Sequence, residues 1–286
     1  MAAYTDGYWW SRDNLRLHYR DYPGRADRPT ILCIPGLTRN ARDFAALAER
    51  LSPEWRVICV ELRGRGESAY APDAMTYVPP IYLQDLDALL TDAKIDRFVA
   101  FGTSLGGILT MLLASAEGDR LAGYLLNDIG PHIEEAGLAR IRGYVGRGSS
   151  WPTWLHAARV KAELHGHAFP DYALEDWLAM AKRLCRLTSS GRIVADYDSK
   201  IAEPFRVPNG AAGFDMWTLL PKLGGKPGLL VRGALSDIIS TATADRMASA
   251  LPDMERLTLP RVGHAPTLDE PGCGEAIDRL LARVAA

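Results

Sequence analysis

Residues 97–117, with the sequence RFVAFGTSLGGILTMLLASAE, decide how this chain folds. They begin with a short apolar run at 98–101, which is typical of a buried strand. The pentapeptide GTSLG follows at 102–106, and the apolar residues 108–116 are numerous enough for a buried helix. A strand, a tight glycine turn and a helix are the context in which the pattern G-x-S-x-G indicates an exposed, activated serine.

The spacing of the pentapeptide has a steric reason. The turn must be sharp enough to place Ser104 at its apex, in a strained backbone conformation. A side chain two residues to either side would collide with neighbouring backbone, so Gly102 and Gly106 are required there. The N-terminus of the following helix then offers unpaired N–H groups that suit an anion. The alternative is a glycine-rich turn with an incidental serine.

Composition bounds the kind of protein. The 286 residues suffice for a sizeable core, as one domain with an insertion or as two domains. The net charge of −2 indicates neither a nucleic-acid partner nor an acidic membrane surface. We expect a small-molecule substrate as the partner, and a homodimer remains open.

The cysteines and the absence of targeting signals favour a cytoplasmic protein. Cys33 and Cys59 lie within apolar runs that are typical of strands, and no C-x-x-C pattern occurs, so we expect reduced core thiols. The first residues lack the pattern of a signal peptide. Residues 98–116 carry no charge and are long enough to span a membrane, but the glycine turn inside the run argues against that interpretation.

Strands alternate with helices along most of the chain. This alternation predicts an α/β fold with a mostly parallel, doubly wound sheet and helices on both faces. The predicted strands include residues 30–34, 56–60, 98–101, 121–127, 228–232 and 255–259, and the predicted helices include residues 41–51, 79–93, 211–220, 241–251 and 270–284. Between 132 and 207 the alternation stops. We therefore expect a core domain formed by residues 1–131 and 208–286, with a helical cap inserted at 132–207.

Two late loops supply the partners that a serine nucleophile needs. A serine hydroxyl requires a base to take its proton and an acid to orient that base. Asp237 follows the predicted strand at 228–232, and His264 follows the one at 255–259. The order Ser104, Asp237, His264 matches that of a nucleophile elbow served by later strands. The sequence therefore predicts these three residues as a catalytic triad.

Asp128 competes with Asp237 for the place of the acid, because it also follows a predicted strand. We favour Asp237, since one more strand-helix unit separates Asp128 from the histidine loop. For the oxyanion, two backbone donors are needed near the serine. The N–H groups of Leu105 and Leu37 are the candidates, and Gly36 allows a close approach of the backbone.

Together these motifs resemble the α/β-hydrolases with a helical cap. The resemblance rests on Pro35-Gly36, ELRGRGES at 61–68, the GTSLG turn, Ser236-Asp237 and Gly263-His264. It implies a Ser–Asp–His triad, a substrate pocket between sheet and cap, and a structural role for Asp128. Two features depart from the family pattern: its oxyanion loop usually begins His-Gly, and an Asp usually stands where this chain has Glu61.

These observations predict a serine hydrolase that cleaves an ester or similar acyl bond of a small, largely apolar substrate, with no metal and no cofactor. A carbon–carbon bond hydrolase, a lactonase and a non-catalytic ligand receptor are the alternatives. The serine argues against haloalkane dehalogenases and epoxide hydrolases, which the resemblance associates with an aspartate nucleophile. The candidate substrate-binding residues of the cap are Tyr144, Trp151, Trp154 and His156. His165 and His167 form a pair without a third metal ligand nearby.

Overall fold

The computed structural model describes residues 3–148, 150–206 and 215–286, and it contains a central sheet of eight strands. The strands of the described chain are β1 Thr5–Trp10, β2 Arg16–Tyr22, β3 Thr30–Ile34, β4 Val57–Glu61, β5 Phe98–Thr103, β6 Leu121–Asn127, β7 Ser150–Trp151, β8 Cys185–Leu187, β9 Ile193–Ala195, β10 Gly228–Gly233 and β11 Met254–Leu259. The central sheet has the order β1-β2-β4-β3-β5-β6-β10-β11, and β7, β9 and β8 form a separate small sheet.

The sheet is mostly parallel, as predicted. β1 pairs antiparallel with β2 and β2 antiparallel with β4, whereas every pair from β4 to β11 is parallel. β3, β4 and β5 are buried along their whole length, which is why these strands have continuous apolar sequences rather than alternating ones. Their carboxyl ends lie at one edge of the sheet, where ligands bind in folds of this type.

Helices cover both faces of the sheet. The α-helices are α1 Ala45–Leu51, α2 Pro79–Asp92, α3 Leu105–Ala116, α4 Glu135–Tyr144, α5 Trp154–His165, α6 Leu174–Leu184, α7 Thr241–Ala250 and α8 Cys273–Ala285. Side chains of α2, α3 and α7 form one apolar core on one face. Side chains of α1 and α8 form the other core on the opposite face. The prediction of a doubly wound α/β fold is therefore confirmed.

Part of the chain that follows β6 forms an apolar cluster separate from the two cores of the sheet. We call residues 132–206 the inserted segment. It contains α4, α5, α6, the small sheet and a 3-10 helix at Ser199–Arg206, and Ala157, Met180 and Trp177 belong to its apolar cluster. The small sheet was not predicted, because strands of two or three residues are too short to show a periodic pattern.

Other predicted elements differ locally. The predicted helix at 41–51 begins with a 3-10 turn, Ala41–Phe44, before α1. The predicted helix at 211–220 lies partly outside the described residues, and Met216–Thr218 forms a short 3-10 helix. Residues 98–116 divide into β5 and α3, and no helix in the described ranges has both the length and the apolar character needed to cross a membrane. Cys33 and Cys59 are buried free thiols, as expected.

Candidate active site

The turn between β5 and α3 has the strained geometry that its sequence predicts. Ser104 has φ 52° and ψ −114°, a conformation that L-residues rarely adopt. A Cβ at Gly102 would lie 2.3 Å from the Gly106 carbonyl oxygen, and a Cβ at Gly106 would lie 1.9 Å from the Ile34 oxygen. Both glycines are thus required by close backbone contacts, and together they allow Ser104 to stand at the apex of the turn.

His264 connects this serine to a carboxylate. Its loop follows β11, and its Nε2 lies 2.9 Å from Ser104 Oγ. Its Nδ1 lies 2.8 Å from Asp128 Oδ2. Because an ionised carboxylate can only accept, Nδ1 carries the proton and donates it to Asp128, which leaves Nε2 free to accept from the serine hydroxyl. Ser104, His264 and Asp128 therefore form a continuous hydrogen-bonded relay.

Asp128 is held rigidly. It follows β6 directly, has φ 55° and is completely buried. Besides His264, its carboxylate accepts from the Gly233 N–H at 2.9 Å and from the Ser236 hydroxyl at 2.7 Å. Three donors on one buried carboxylate satisfy its acceptor positions and fix its orientation toward the histidine.

The structure places Asp128, and not the predicted Asp237, in contact with His264. β6 pairs with β10, so the residue that ends β6 lies beside the end of β10, however far apart the two are in sequence. Asp237 stands four residues beyond the end of β10, where its carboxylate accepts from Arg140 of α4 at 2.5 and 2.8 Å. Burial acts to raise the pKa of Asp237, but the hydrogen bonds and charge of Arg140 outweigh it and hold the pKa below the ordinary value.

The two expected oxyanion donors lie on either side of Ser104. Leu105 is the first residue of α3, so its N–H has no acceptor within the helix. Leu37 lies in the loop after β3 and lines the same cavity as Ser104. The position of a Cβ on Gly36 would be only 3.6 Å from the Ser104 Cβ, which shows how close this loop comes.

Arg65 holds the loop that carries Leu37, a role that the sequence did not reveal. Its completely buried guanidinium donates to the Leu37 carbonyl at 2.9 Å from Nε and to the Arg63 carbonyl and Tyr82 hydroxyl from Nη1. The loop around Arg65 is itself fixed by Glu61, whose carboxylate accepts from the Glu67 N–H and contacts His18. The only signal in the sequence was the ELRGRGES motif.

A cavity of about 680 Å³, which includes space open to solvent, lies over Ser104 and His264. The inserted segment contributes its outer wall through Ile141, Tyr144, Lys161, His165, Leu184 and Tyr197. Of the four predicted substrate-binding residues, Tyr144 lines this cavity. Trp151, Trp154 and His156 do not: the two tryptophans pack against the core of the inserted segment, and the exposed His156 contacts Thr153.

The outer wall is more polar than an apolar substrate would require. Lys161 and His165 project from α5, one turn apart. Burial, followed by the charges of Arg39, Lys161 and Arg140, lowers the pKa of His165 to about 3, so its imidazole is neutral. Burial also lowers the pKa of Lys161. Sequence reasoning missed Lys161, because a single lysine on a helix carries no motif.

Within the described ranges, no three His, Cys, Asp or Glu side chains are grouped closely enough to hold a metal ion. The cavity instead brings together the Ser104 hydroxyl and the His264 imidazole, and the buried Asp128 lies behind that imidazole. Such a set of side chains is suited to acyl transfer by a serine nucleophile.

Comparison with known proteins agrees with this geometry. The sequence model of the Alpha/beta hydrolase family matches residues 31–273. The chain is 30% identical over 263 residues to a 3-hydroxybutyrate-oligomer hydrolase from Cupriavidus necator, covering 90% of this chain and 89% of that protein. The crystal structure of an alpha/beta hydrolase from Novosphingobium aromaticivorans superposes with a TM-score of 0.96 at 58% identity, covering 99% of both chains.

A third relative has a different substrate in its name. It is a 2-(acetamidomethylene)succinate hydrolase from Mesorhizobium japonicum, 26% identical over 238 residues, which are 82% of this chain and 81% of that protein. The relatives therefore share hydrolysis while differing in the compound that they hydrolyse.

Proposed function

This chain is a member of the alpha/beta hydrolase family, and on that premise we propose that it cleaves a carboxylic ester of a small substrate through a covalent acyl-enzyme. One observation carries the proposal. Ser104 Oγ lies 2.9 Å from His264 Nε2, and the other nitrogen of that histidine lies 2.8 Å from the buried Asp128, at the floor of an accessible cavity. This is the geometry of an activated nucleophile with an oriented base.

The reaction has two halves. Ser104 Oγ attacks the ester carbonyl carbon while His264 Nε2 takes the hydroxyl proton. The tetrahedral intermediate collapses as His264 returns this proton to the leaving alkoxide, which releases an alcohol and leaves the acyl group on Ser104. A water molecule then loses a proton to His264 and attacks the acyl carbon. Protonation of Ser104 Oγ by His264 releases the carboxylic acid and regenerates the serine.

The surrounding groups stabilise charge at each stage. Asp128 keeps the Nδ1 proton of His264 in place and stabilises the imidazolium that forms. The N–H groups of Leu37 and Leu105 donate to the oxyanion of each tetrahedral intermediate, and removal of one such donor typically costs about 10²–10³ in kcat. Arg65 acts through the Leu37 carbonyl and is a positioning residue.

Two further observations support an ester as the substrate. 3-Hydroxybutyrate units join through ester bonds, so the relative from Cupriavidus necator supports this class. A relative named Lipase LipV from Mycobacterium tuberculosis is 32% identical over 157 residues. The inserted segment forms the outer wall of the cavity over Ser104 and serves as its cap.

The test is hydrolysis of p-nitrophenyl esters from acetate to decanoate. We expect Ser104→Ala and His264→Ala to lose at least about 10³-fold in kcat/KM. Ser115→Ala, which removes an exposed hydroxyl from the same helix, is the matched control and should retain activity. The acyl-chain length with the highest kcat/KM indicates the length of chain that the cavity accommodates.

Labelling of Ser104 by an alkyl fluorophosphonate separates the remaining outcomes. Labelling without turnover of any ester would favour a carbon–carbon bond or a lactone as the substrate. If the protein shows no turnover and Ser104 is not labelled, the hydrolase proposal is overturned and a ligand receptor becomes the favoured function.

A further inference from the structure

The lining of the cavity is positively charged. Arg39 and Lys161 line it, whereas no Asp or Glu does so among the described residues. The low pKa of His165, which follows from burial and then from Arg39, Lys161 and Arg140, reports the same excess of positive charge. An excess of one sign of charge in a cleft attracts ligands of the opposite sign.

The two cations of the wall differ in their partners. Arg39 contacts the Asp43 carboxylate at 3.3 Å and so has a carboxylate partner within the protein, which it shares with Arg183. Lys161 has no carboxylate within 4 Å in the parts of the chain that the structure describes. Its contact is the Trp151 ring, whose centroid lies 5.4 Å from Nζ. A desolvated ammonium group without a counterion is costly, and an anionic ligand would relieve that cost.

The other polar groups that line the cavity suit a carboxylate better than a neutral group. Tyr144 and Tyr197 also line the wall, and burial raises the pKa of both phenols, so they remain neutral hydrogen-bond donors. His165 is neutral as well. A cavity lined by one cation without a carboxylate partner and by several neutral donors matches the single charge and several acceptor positions of a carboxylate.

We propose that Lys161 binds a free carboxylate of the substrate, so that the preferred substrates are esters that also carry an acid group. This inference rests on the proposed ester hydrolysis and names its substrate class. The acid group belongs either to the acyl part or to the alcohol part of the ester. Both place one anion on the wall of the cavity while the ester carbonyl lies at Ser104.

The experiment compares acids with their neutral amides. Methyl hydrogen glutarate beside methyl glutaramate places the charge in the acyl part. 3-Acetoxybutyrate beside 3-acetoxybutyramide places it in the alcohol part. Turnover of each is followed by titration of released acid. We expect the acid of at least one pair to have a kcat/KM about tenfold or more above its amide, the scale of a hydrogen bond to a charged group.

Lys161→Met should reduce the ratio of kcat/KM for the acid to kcat/KM for the amide about tenfold or more, mainly by raising KM for the acid. Lys161→Arg, which keeps the positive charge, should retain most of the wild-type ratio. Lys182→Met, at an exposed position of α6, is the matched control and should leave the ratio unchanged. A purely structural Lys161 would change acid and amide turnover alike. An unchanged ratio in Lys161→Met, or equal turnover of acid and amide by the wild type, would overturn the inference while leaving ester hydrolysis intact.

Binding separates the two proposals if no ester is turned over. Calorimetric titration of Ser104→Ala with methyl hydrogen glutarate and with dimethyl glutarate measures recognition without chemistry. If Ser104→Ala binds the acid more tightly than the diester, and Ser104→Ala/Lys161→Met loses this preference, the carboxylate site is supported even when no ester is hydrolysed. Equal binding of the two compounds would contradict it.

Discussion

The turn after β6 and the loop after β10 lie side by side at the same edge of the sheet, and each carries an aspartate. Asp128 is completely buried and accepts from a backbone N–H, a serine hydroxyl and His264. Asp237 is partly exposed, and its carboxylate accepts hydrogen bonds from Nε and Nη2 of Arg140. The two carboxylates thus have the same chemistry but different partners.

The difference shows that the partners, rather than the residue type, decide which aspartate serves the histidine. A carboxylate that already has a bidentate arginine has its charge compensated. Asp128 contacts no lysine or arginine within the described chain, so the imidazolium formed during catalysis would be its natural counterion. The loop after β10 contributes to the relay through Ser236, which orients Asp128, while Asp237 connects the loop to α4.

The largest expected effect comes from Asp128→Asn. We expect kcat for an ester to fall by about 10³–10⁴-fold, because an amide favours the wrong tautomer of His264 and does not stabilise the imidazolium. The measurement is steady-state hydrolysis of p-nitrophenyl acetate. The double variant Asp128→Asn/Asp237→Asn should be no slower than Asp128→Asn alone. A further large loss in the double variant would show that Asp237 acts as a substitute acid.

Ser236→Ala should have an intermediate effect. It removes the 2.7 Å hydrogen bond to Asp128 Oδ2, the oxygen that also accepts from His264. We expect kcat to fall about three- to tenfold, since one hydrogen bond to a charged group is lost while the carboxylate remains. Ser249→Ala, which changes an exposed serine of α7, is the control. A loss as large as that of Asp128→Asn would mean that the loop itself moves.

Asp237→Asn should have little effect on turnover. Its carboxylate bonds to Arg140 and not to His264, so we expect a change in kcat of less than about threefold. The same ester assay, run on freshly folded protein, tests this. A loss of about 10³-fold would restore Asp237 to the triad and contradict the contact that the structure shows.

The smallest effect concerns stability and its dependence on pH. Arg140 holds the pKa of Asp237 below the ordinary value of 3.8. The pair therefore stabilises the folded state fully above that ordinary value, and this stability is lost as pH falls through the lower pKa of the folded state. For a partly exposed pair we expect about 0.5–1 kcal/mol.

Urea unfolding of the wild type and of Asp237→Asn checks this. The difference in the free energy of unfolding should be present at neutral pH and should shrink as the pH falls below 3.8. A difference that persists unchanged into strong acid would mean that the pair contributes through packing rather than charge.

Much of the fold followed from local pattern. The elbow was predictable because close backbone contacts at Gly102 and Gly106 impose a requirement that the sequence must display. His264 was predictable because it follows a predicted strand, and ligands bind at the carboxyl ends of the strands in a sheet of this type. The aspartate that contacts His264 was not predictable in this way. The prediction counted strand-helix units along the chain, and neither that count nor the family resemblance showed that β6 and β10 are neighbours.

The cavity wall was the least predictable part. Trp151, Trp154 and His156 were expected to line it because they are large residues in the inserted segment, yet the segment uses the two tryptophans to pack its own core. Tyr144, Lys161 and His165 reach the cavity because α4 and α5 contribute to its wall, and no spacing in the sequence encodes that placement.

The sequence by itself thus determined the α/β alternation, the strained serine turn and the late histidine, since each depends on steric and periodic rules that act over a few residues. Only the tertiary structure decided which aspartate contacts the histidine, which arginine bonds to the Leu37 carbonyl and which lysine lines the cavity. Those choices depend on strand order and helix packing, and such contacts join residues about a hundred positions apart, as between Asp128 and Ser236.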